Sequence, residues 1–245
     1  MSPKFGTSGL RGLVTDLTEE VVRSYIAAFS QACELGEAVF VGHDLRPSSP
    51  QLSQTVAFAL QSCGHEVFSC GPVSTPALAL AASNAGSGAV MVTGSHIPAD
   101  RNGLKFYTPL GEINKLQETD IVASLDHSPP VMPQHAISRR DDIMAVYGAR
   151  YSQAFPAALQ GLRIGIFAHS AVGRDHLLAL CKELGARTIA LGRSDDFIPL
   201  DTEAISPQMC DQFRCWANAH HLDAIISTDA DGDRPLLTDE NGDLV

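Results

Sequence analysis

Basic residues are scarce in this sequence and nowhere form a cluster. The chain of 245 residues has 17 Lys and Arg against 28 Asp and Glu, which gives a formal net charge of −11. Proteins that bind the phosphate backbone of nucleic acids normally carry a basic patch. We therefore expect no nucleic-acid partner. A small phosphorylated substrate is compatible with the acidic balance, because a few arginines and a metal ion can neutralise its charge locally.

Long apolar stretches and paired cysteines are also missing. No run of about 18 apolar residues occurs, so we expect no membrane partner. The opening MSPKFGTSGLRG lacks the apolar core of a signal peptide. No CxxC pair occurs, and the cysteines lie in apolar or helix-like stretches, which predicts reduced thiols in a cytoplasmic protein. The cysteines are Cys33, Cys63, Cys70, Cys181, Cys210 and Cys215.

What the sequence does contain is an alternation of strand-like and helix-like stretches. Apolar, β-branched stretches predict strands, and stretches with helical spacing of apolar residues predict helices. The predicted strands are 38–44, 66–71, 87–92, 162–167, 187–191 and 222–228, and the predicted helices are 49–64, 74–86, 141–155, 172–186 and 205–221. This alternation predicts βαβ units around a mainly parallel, buried sheet.

The alternation is interrupted once, and the same plan is present on both sides. The interruption is the proline-rich DHSPPVMPQH at 126–135. The order strand, polar loop, helix, glycine, strand occurs at 39–71 and again at 162–192, which suggests two related modules. We predict an α/β protein with two mixed or mainly parallel α/β/α modules, at 1–140 and 141–245. The ENGD turn near the end predicts a hairpin of two short strands within 236–245.

Three aspartates alternate just beyond the last predicted strand, in DADGDR at 229–234. Hard carboxylate oxygens suit Mg²⁺, provided that a tight loop, aided by Gly232, brings the side chains together. The aspartates are Asp229, Asp231 and Asp233. A solvated acidic turn is the alternative. An EF-hand is disfavoured, because Arg234 occupies the position of its invariant glycine and Pro235 follows.

Two further loops carry arginines that could face an anion. In FGTSGLRG at 5–12, the glycines permit close backbone approach and Arg11 offers two donors to a phosphate, although the GK[ST] ending of a P-loop is missing. A flexible N-terminal arm is the alternative for this stretch. In GHDLRPSS at 42–49, Asp44 and Arg46 are interpreted as an ion pair that braces a loop, in preference to a catalytic pair.

A serine follows a predicted buried strand in VMVTGSHIPADRNGLKFY at 90–107. Ser95, a metal-binding triad and glycine-arginine loops are together the parts of a phosphoryl-transfer site. Acyl transfer fits less well, because the GxSxG elbow is missing. His96 adjoins the serine, but adjacent residues of an extended strand point to opposite sides, so we expect the two side chains to lie apart.

Four motifs occur in collinear order, namely FGTSGLRG, GHDLRPSS, TGSHIPADRNGLKFY and DADGDR. In this set and order the sequence resembles the α-D-phosphohexomutase family. The resemblance implies that Ser95 is phosphorylated and that its phosphate shares Mg²⁺ with the three aspartates. It further implies roles near the phosphoryl group for Arg11 and Arg234, and roles in proton transfer or orientation for His96 and Lys105. A surface lysine is the alternative for Lys105.

The activity implied by the resemblance is reversible transfer of a phosphoryl group between positions 1 and 6 of a hexose phosphate. The transfer passes through a phosphoserine and a bisphosphate, with a hexose 1,6-bisphosphate as activator, and phosphomannomutase is the favoured member. Ile97 departs from the family pattern, which has asparagine there. The family's third and fourth domains, which read the sugar and hold its distal phosphate, are not found here, so we expect a fragment with little mutase activity alone.

Two other classes of function stay open at this point. A metal-dependent phosphatase or phosphate-binding α/β protein would share the acidic loop but would use an aspartate such as Asp229 as its nucleophile. A module without catalytic activity, serving only in interactions, is the second. The acid stability of the protein-bound phosphate distinguishes such a phosphatase from a phosphohexomutase, because phosphoserine survives acid whereas an acyl phosphate hydrolyses.

Overall fold

A computed structural model of the chain describes residues 3–6, 9–125 and 136–245. The described residues form two compact units. The first comprises those up to Gly94 together with Pro98–Ile143, and the second comprises Ser95–Ile97 together with Met144–Val245. The proline-rich interruption predicted at 126–135 lies outside the described residues, as do positions 7 and 8 of the first motif.

The first unit is built on a mixed sheet. Its elements are β1 (Lys4–Phe5), β2 (Leu10–Leu13), α1 (Glu19–Ala32), β3 (Ala38–His43), α2 (Ser49–Ser62), β4 (Glu66–Pro72), α3 (Thr75–Asn84), β5 (Gly88–Val92), β6 (Arg101–Thr108), β7 (Gly111–Glu112), α4 (Lys115–Ala123) and β8 (Ser138–Arg139). The strand order is β1-β2-β6-β5-β3-β4-β8, with β7 beside β6. Neighbours from β5 to β8 along this order are parallel, and the others are antiparallel.

The alternating directions of residues along β3 show that helices cover both faces of this sheet. Val39 and Val41 belong to the core formed with α1, α2 and α4. Gly42 points the other way, because a Cβ added there would come within 2.3 Å of Val73 and 3.2 Å of Leu78, which lies in α3. Side chains of successive strand residues point to opposite faces, so α3 covers the second face and the unit has three layers.

The second unit repeats this construction on a smaller sheet. Its elements are α5 (Ile143–Ala154), β9 (Arg163–Phe167), α6 (Arg174–Glu183), β10 (Arg187–Leu191), α7 (Pro207–His220), β11 (Ala224–Thr228) and β12 (Pro235–Leu237). The order is β10-β9-β11-β12, in which β12 alone is antiparallel to its neighbour. Ile164 and Ile166 of β9 pack with Cys181 of α6, whereas Phe167 packs with Phe213 of α7.

The two units share one order of strands. In the first, the series β4-β3-β5-β6 has the earliest strand inside, a helical crossover to each parallel neighbour, and an antiparallel strand at the end. In the second, β10-β9-β11-β12 repeats this arrangement. The predicted repetition of two related α/β/α modules is therefore confirmed. The loop β5–β6, which contains Ser95, corresponds to the loop β11–β12, which contains the three aspartates.

Two local predictions need correction. The flexible N-terminal arm is wrong for the described part of that motif, because β2 pairs with β6 in the register Arg11 to Gly103. The second strand of the C-terminal hairpin is reduced to a single bridge between Thr238 and Leu244. All six cysteines are free thiols, as predicted. Among the described residues, no helix combines the length and apolar character needed to cross a bilayer.

Candidate active site

Ser95 lies in a turn directly after β5 and is almost fully buried, with 1% of its surface exposed. Its φ angle is +52°, in the left-handed region that residues other than glycine rarely adopt. The hydroxyl donates a hydrogen bond of 2.5 Å to Oδ2 of Asp229. The serine is therefore both conformationally unusual and directly joined to the acidic loop.

His96 is close to the serine hydroxyl, contrary to the expectation that the two side chains lie apart. Ser95 Oγ and His96 Nδ1 are 3.3 Å from each other. The expectation assumed an extended backbone, and the positive φ of Ser95 removes the alternation on which it depended. The imidazole is thus within hydrogen-bonding reach of the hydroxyl.

The three aspartates of the β11–β12 loop converge. One carboxylate oxygen from each of Asp229, Asp231 and Asp233 lies within 4.8 Å of the other two. Gly232 has φ +81°, and its amide donates to Asp229 Oδ1 over 3.1 Å, so the loop folds back on its first residue. The Asp229 amide also donates to the carbonyl of Arg234, which closes the turn.

Burial makes this cluster electrostatically unfavourable without a cation. Asp229 and Asp231 have no exposed surface, so the interpretation as a solvated turn is wrong for these two residues. Burial, and after it the charge of Asp231, raises the pKa of Asp229 to about 7, although the hydrogen bond from Ser95 lowers it. A hard divalent cation would relieve the repulsion, and three carboxylate oxygens are the donor set that Mg²⁺ prefers. The residues present therefore fit Mg²⁺.

A histidine that the sequence analysis missed holds the strand end before the acidic loop. His169 is fully buried, with φ +22°, and its Nε2–H donates to the carbonyl of Thr228 over 2.8 Å. The amide of Val172 donates to the carbonyl of Ala230, within the loop itself. The signal that could have identified His169 is its position directly after a buried strand, the same signal that identified Ser95.

The side chains of Arg234, Arg11 and Lys105, the other predicted site residues, have surroundings different from those of the three aspartates. The amide of Arg234 donates to Asp229 Oδ1, but its guanidinium pairs with Glu203 at 3.3 Å. Arg11 lies on β2 and Lys105 on β6, both in the first unit. Lys105 has only 3% of its surface exposed, so the alternative of a surface lysine is wrong.

Arg11 and Lys105 share one face of the first sheet. Arg11 is directly opposite Gly103 in the antiparallel pair β2–β6, and Lys105 lies two residues further along β6. Opposite residues and residues two apart point to the same side of a sheet. Leu104 and Phe106 belong to the core on the other face. The two cations therefore lie on the face opposite that core.

Asp44 and Arg46 form the predicted ion pair. Arg46 Nε and Asp44 Oδ2 are 3.2 Å apart, and both side chains are completely buried. Asp44 also accepts hydrogen bonds from the hydroxyls of Ser49, at 2.6 Å, and Thr93, at 2.7 Å. Burial raises the pKa of the Asp44 carboxyl, and these hydrogen bonds and Arg46 oppose the rise. The interpretation as a bracing pair is confirmed.

Residues 2–130 match the family model described as phosphoglucomutase/phosphomannomutase, alpha/beta/alpha domain I, and residues 147–242 match the model of domain II. Together the two matches account for most of the chain. The chain belongs to the phosphoglucomutase/phosphomannomutase family. The family resemblance read from the four motifs is thereby confirmed.

Relatives with the same domains include two proteins named phosphomannomutase. One from Sinorhizobium fredii is 44% identical over 99% of this chain and 54% of its own length. One from Salmonella muenchen is 46% identical over 97% of this chain and 50% of its own length. The chain thus spans about half the length of these family members.

A solved structure of the family has the same fold. The phosphoglucomutase/phosphomannomutase family protein of Burkholderia thailandensis superimposes with a TM-score of 0.83, over 97% of this chain and 55% of its own. The identity is 24%, so this similarity concerns the fold. The predicted fold class, the paired α/β/α modules of a phosphohexomutase, is confirmed.

Proposed function

We propose that this chain carries the phosphoryl-transfer half of a phosphohexomutase site, with Ser95 as the residue that accepts and returns the phosphoryl group. The observation that carries the proposal is the 2.5 Å hydrogen bond from the Ser95 hydroxyl to Asp229, within a cluster of three carboxylates. Strained backbone at a buried polar residue is typical of functional sites. The serine hydroxyl and the carboxylates suit a reaction in which a phosphoryl group and a divalent cation meet at Ser95.

In the proposed reaction, a free hydroxyl of a hexose monophosphate attacks the phosphorus of phosphorylated Ser95. A new P–O bond forms to the sugar and the P–Oγ bond breaks. The sugar hydroxyl loses its proton to a base, and the released Ser95 oxygen takes up a proton. The bisphosphate then reorients, and the serine hydroxyl attacks its other phosphate and gives its proton to a base. The P–O bond from that phosphate to the sugar breaks, and the sugar oxygen takes up a proton. The family motif supports His96 and Lys105 for these proton transfers or for orientation, and Arg11 and Arg234 for contact with phosphate oxygens.

Magnesium held by Asp229, Asp231, Asp233 and an oxygen on Ser95 would neutralise charge that develops on the transferring group. The chain's own contribution is to keep those oxygens together. The amides of Gly232 and Arg234 fix Asp229 Oδ1, which leaves Oδ2 directed at the serine. Because this orientation exists before the reaction, little reorganisation is needed when charge appears.

The substrate class we propose is hexose phosphates, with a mannose phosphate preferred. Both relatives that are 44% and 46% identical are named phosphomannomutase, which supports this preference. A hexose 1,6-bisphosphate would serve as activator, since it can phosphorylate Ser95. The functional halves would be 1–140 with the serine loop and 141–245 with the metal loop, in a cytoplasmic enzyme.

The phosphatase alternative is less well supported by the geometry. An aspartate nucleophile needs a free, ionised carboxylate oxygen. Both oxygens of Asp229 already accept hydrogen bonds, from the amides of Gly232 and Arg234 and from the hydroxyl of Ser95. The serine is therefore the better nucleophile in this arrangement.

The experiment is phosphate incorporation measured by intact mass. The chain is incubated with Mg²⁺ and glucose 1,6-bisphosphate, quenched in acid, and compared with Ser95→Ala. Ser170→Ala is the matched control, because Ser170 is also a buried loop serine of the second unit, with 2% exposure. We expect one acid-stable phosphate on the unaltered chain and the control, and none on Ser95→Ala. Full labelling of Ser95→Ala, or an acid-labile phosphate, would contradict the proposal.

A further inference from the structure

We propose that Arg46, oriented by Asp44, is a positioning residue that fixes both ends of the loop bearing Ser95. The inference deepens the proposed function and rests on it. Neither residue belongs to the set expected to contact phosphate, metal or sugar. The effect we infer is therefore exerted through the loop backbone and not through contact with a reactant.

The end of the loop after the serine is held by carbonyl groups. Arg46 Nη1 donates to the carbonyl of Pro98 over 2.8 Å and to that of Arg101 over 2.9 Å. The amide of Arg101 donates to the same Pro98 carbonyl, so the three groups form one turn. A single guanidinium nitrogen therefore fixes the path of the chain from the serine turn into β6.

The end before the serine is held by packing. A Cβ added to Gly94 would lie 2.7 Å from Arg46 Cζ and 2.8 Å from its Nε. The guanidinium thus packs directly against the backbone of Gly94, and it leaves no room for a side chain at that position. Since Gly94 immediately precedes Ser95, the guanidinium of Arg46 restricts the backbone position from which the serine turn starts.

Asp44 connects this guanidinium to the strand that leads into the loop. Its Oδ2 accepts from the Thr93 hydroxyl and is 3.2 Å from Arg46 Nε, while its Oδ1 accepts from the Arg46 amide over 3.0 Å. Thr93 is the residue between β5 and Gly94. One carboxylate therefore holds both the strand end and the arginine in a common frame.

A parallel set of bonds joins the start of β6 to the start of α2. Asn102 Nδ2 donates to the hydroxyls of Ser48 and Ser49, both at 2.9 Å, and its Oδ1 accepts from the amide of Gly103. Ser49 in turn donates to Asp44. The polar network thus continues from the loop into the first turn of a helix.

The complete burial of Asp44 and Arg46 favours a role in positioning the loop over a role in stabilising the fold. Asp44 and Arg46 have no exposed surface, so neither can touch a substrate that arrives from solvent. A buried ion pair is weak evidence for stability, because apolar replacements are often neutral. The hydrogen bonds described here converge on the serine loop and its flanks, which is the pattern expected of a positioning device.

Arg46→Lys tests the inference, because lysine keeps a positive charge beside Asp44 but cannot bind two carbonyls while lying flat on Gly94. The readout is the rate of phosphate transfer from glucose 1,6-bisphosphate to Ser95. We expect a fall of about 100-fold, the size that a misplacement near 1 Å can cause. The bisphosphate concentration at half-maximal rate should stay within about twofold, because the residue does not meet the ligand.

Val56→Ala is the matched control, since Val56 is a fully buried core residue of α2 in the same unit. It should lower the melting temperature as Arg46→Lys does, yet leave the transfer rate within about twofold. An equal loss of rate in the control at equal stability would overturn the positioning role. An unchanged rate in Arg46→Lys would overturn it as well.

Amide hydrogen exchange measures the order of the serine loop independently of phosphate transfer. In Arg46→Lys, faster amide exchange should be confined to peptides covering 94–103. Unchanged exchange there, or faster exchange throughout the chain, would overturn the proposal. If the unaltered chain takes up no phosphate, the proposed function fails, and the exchange pattern alone decides whether Arg46 positions the loop.

Discussion

The backbone of Ser95 is the least ordinary feature at the scale of single residues. A residue other than glycine at φ +52° costs roughly 1–2 kcal/mol, and the hydroxyl partly offsets this through its bond to Asp229. Sequence reasoning identified the serine from its place after an apolar strand. It could not reveal the turn conformation or the proximity of His96, because both depend on φ at one position.

Substituting Ser95 should separate these two contributions. Ser95→Ala removes a donor to a buried carboxylate and keeps the strained backbone, so we expect a loss of about 1–2 kcal/mol in the free energy of unfolding. Ser95→Gly loses the same donor but relieves the strain, and it should be more stable than Ser95→Ala by about 1 kcal/mol. Urea unfolding measures both. Equal stabilities would show that the turn carries no strain.

Asp229 should make the stability of the metal-free chain depend on pH. In the folded state its pKa is raised to about 7, whereas an aspartate in an unfolded chain titrates near 3.9. Between these values the folded state holds more protons, so the free energy of unfolding falls as pH rises from about 4 to 7. Thermal melts in EDTA across this range should show a declining melting temperature.

Two comparisons check the assignment of this pH dependence. Mg²⁺ should remove most of the decline between about pH 4 and 7, because it compensates the carboxylates that ionise over this range. Asp229→Asn should flatten the EDTA profile, because the amide does not titrate. A decline of the same size in Asp229→Asn would assign it to other groups.

Cysteine reactivity gives an independent check on burial. Burial raises the pKa of Cys33 to about 11 and that of Cys70 to about 12, whereas Cys215 is exposed. Since the thiolate is the reactive form, iodoacetamide at pH 8 should label Cys215 first and leave Cys33 and Cys70 unmodified in the folded chain. Peptide mass mapping follows the order. Early labelling of Cys70 would contradict its position in the sheet.

At the scale of elements, strands with β-branched runs were predictable, whereas the elements near the N-terminus and the two that follow the serine loop, β6 and α4, were not. The predicted strand at 187–191 is β10 to the residue, and most other predicted elements agree within a few residues. Strand β2 was not predictable, because Leu10–Leu13 is short and interrupted by Gly12. Helix α1 was not predicted either, although Thr18 caps it and Val22, Ile26 and Phe29 form its buried stripe.

Gly9 shows why β2 is nevertheless well defined. Its φ is +70°, and a Cβ there would lie 2.3 Å from the carbonyl oxygen of Leu104 on β6. Gly9→Ala should therefore lower the free energy of unfolding by about 2–4 kcal/mol, from backbone strain plus displacement of the strand. Thermal or urea unfolding gives the value.

Gly64 provides the control for that substitution. It also has positive φ, at +91°, but nothing lies within 4 Å of the Cβ position. Gly64→Ala should cost only the conformational part, about 1–2 kcal/mol. The difference between the two variants isolates the contact between β2 and β6. Equal costs would mean that β2 is free to move.

At the scale of the whole molecule, the chain matches the first two α/β/α domains of relatives about twice its length. Remote binding contacts supply much of the orientation at a reacting centre. We therefore expect the 245-residue chain to accept phosphate but to convert mannose 1-phosphate well below about 1 per second, the lower end of ordinary enzyme rates. A coupled assay after activation with the bisphosphate measures this, and ordinary turnover would contradict it.

The repeated strand order has a consequence for how such a protein can diversify. The loops β5–β6 and β11–β12 each join two antiparallel neighbours of one sheet, whereas the parallel strands β3, β4 and β5 are joined through helices. A loop held at both ends by adjacent strands can change its sequence or length without displacing a helix. Substitutions at 95–97 or within the acidic loop can therefore change the chemistry of either loop while the strands beside it keep their pairing, provided that Gly94 and the two carbonyls bound by Arg46 are retained.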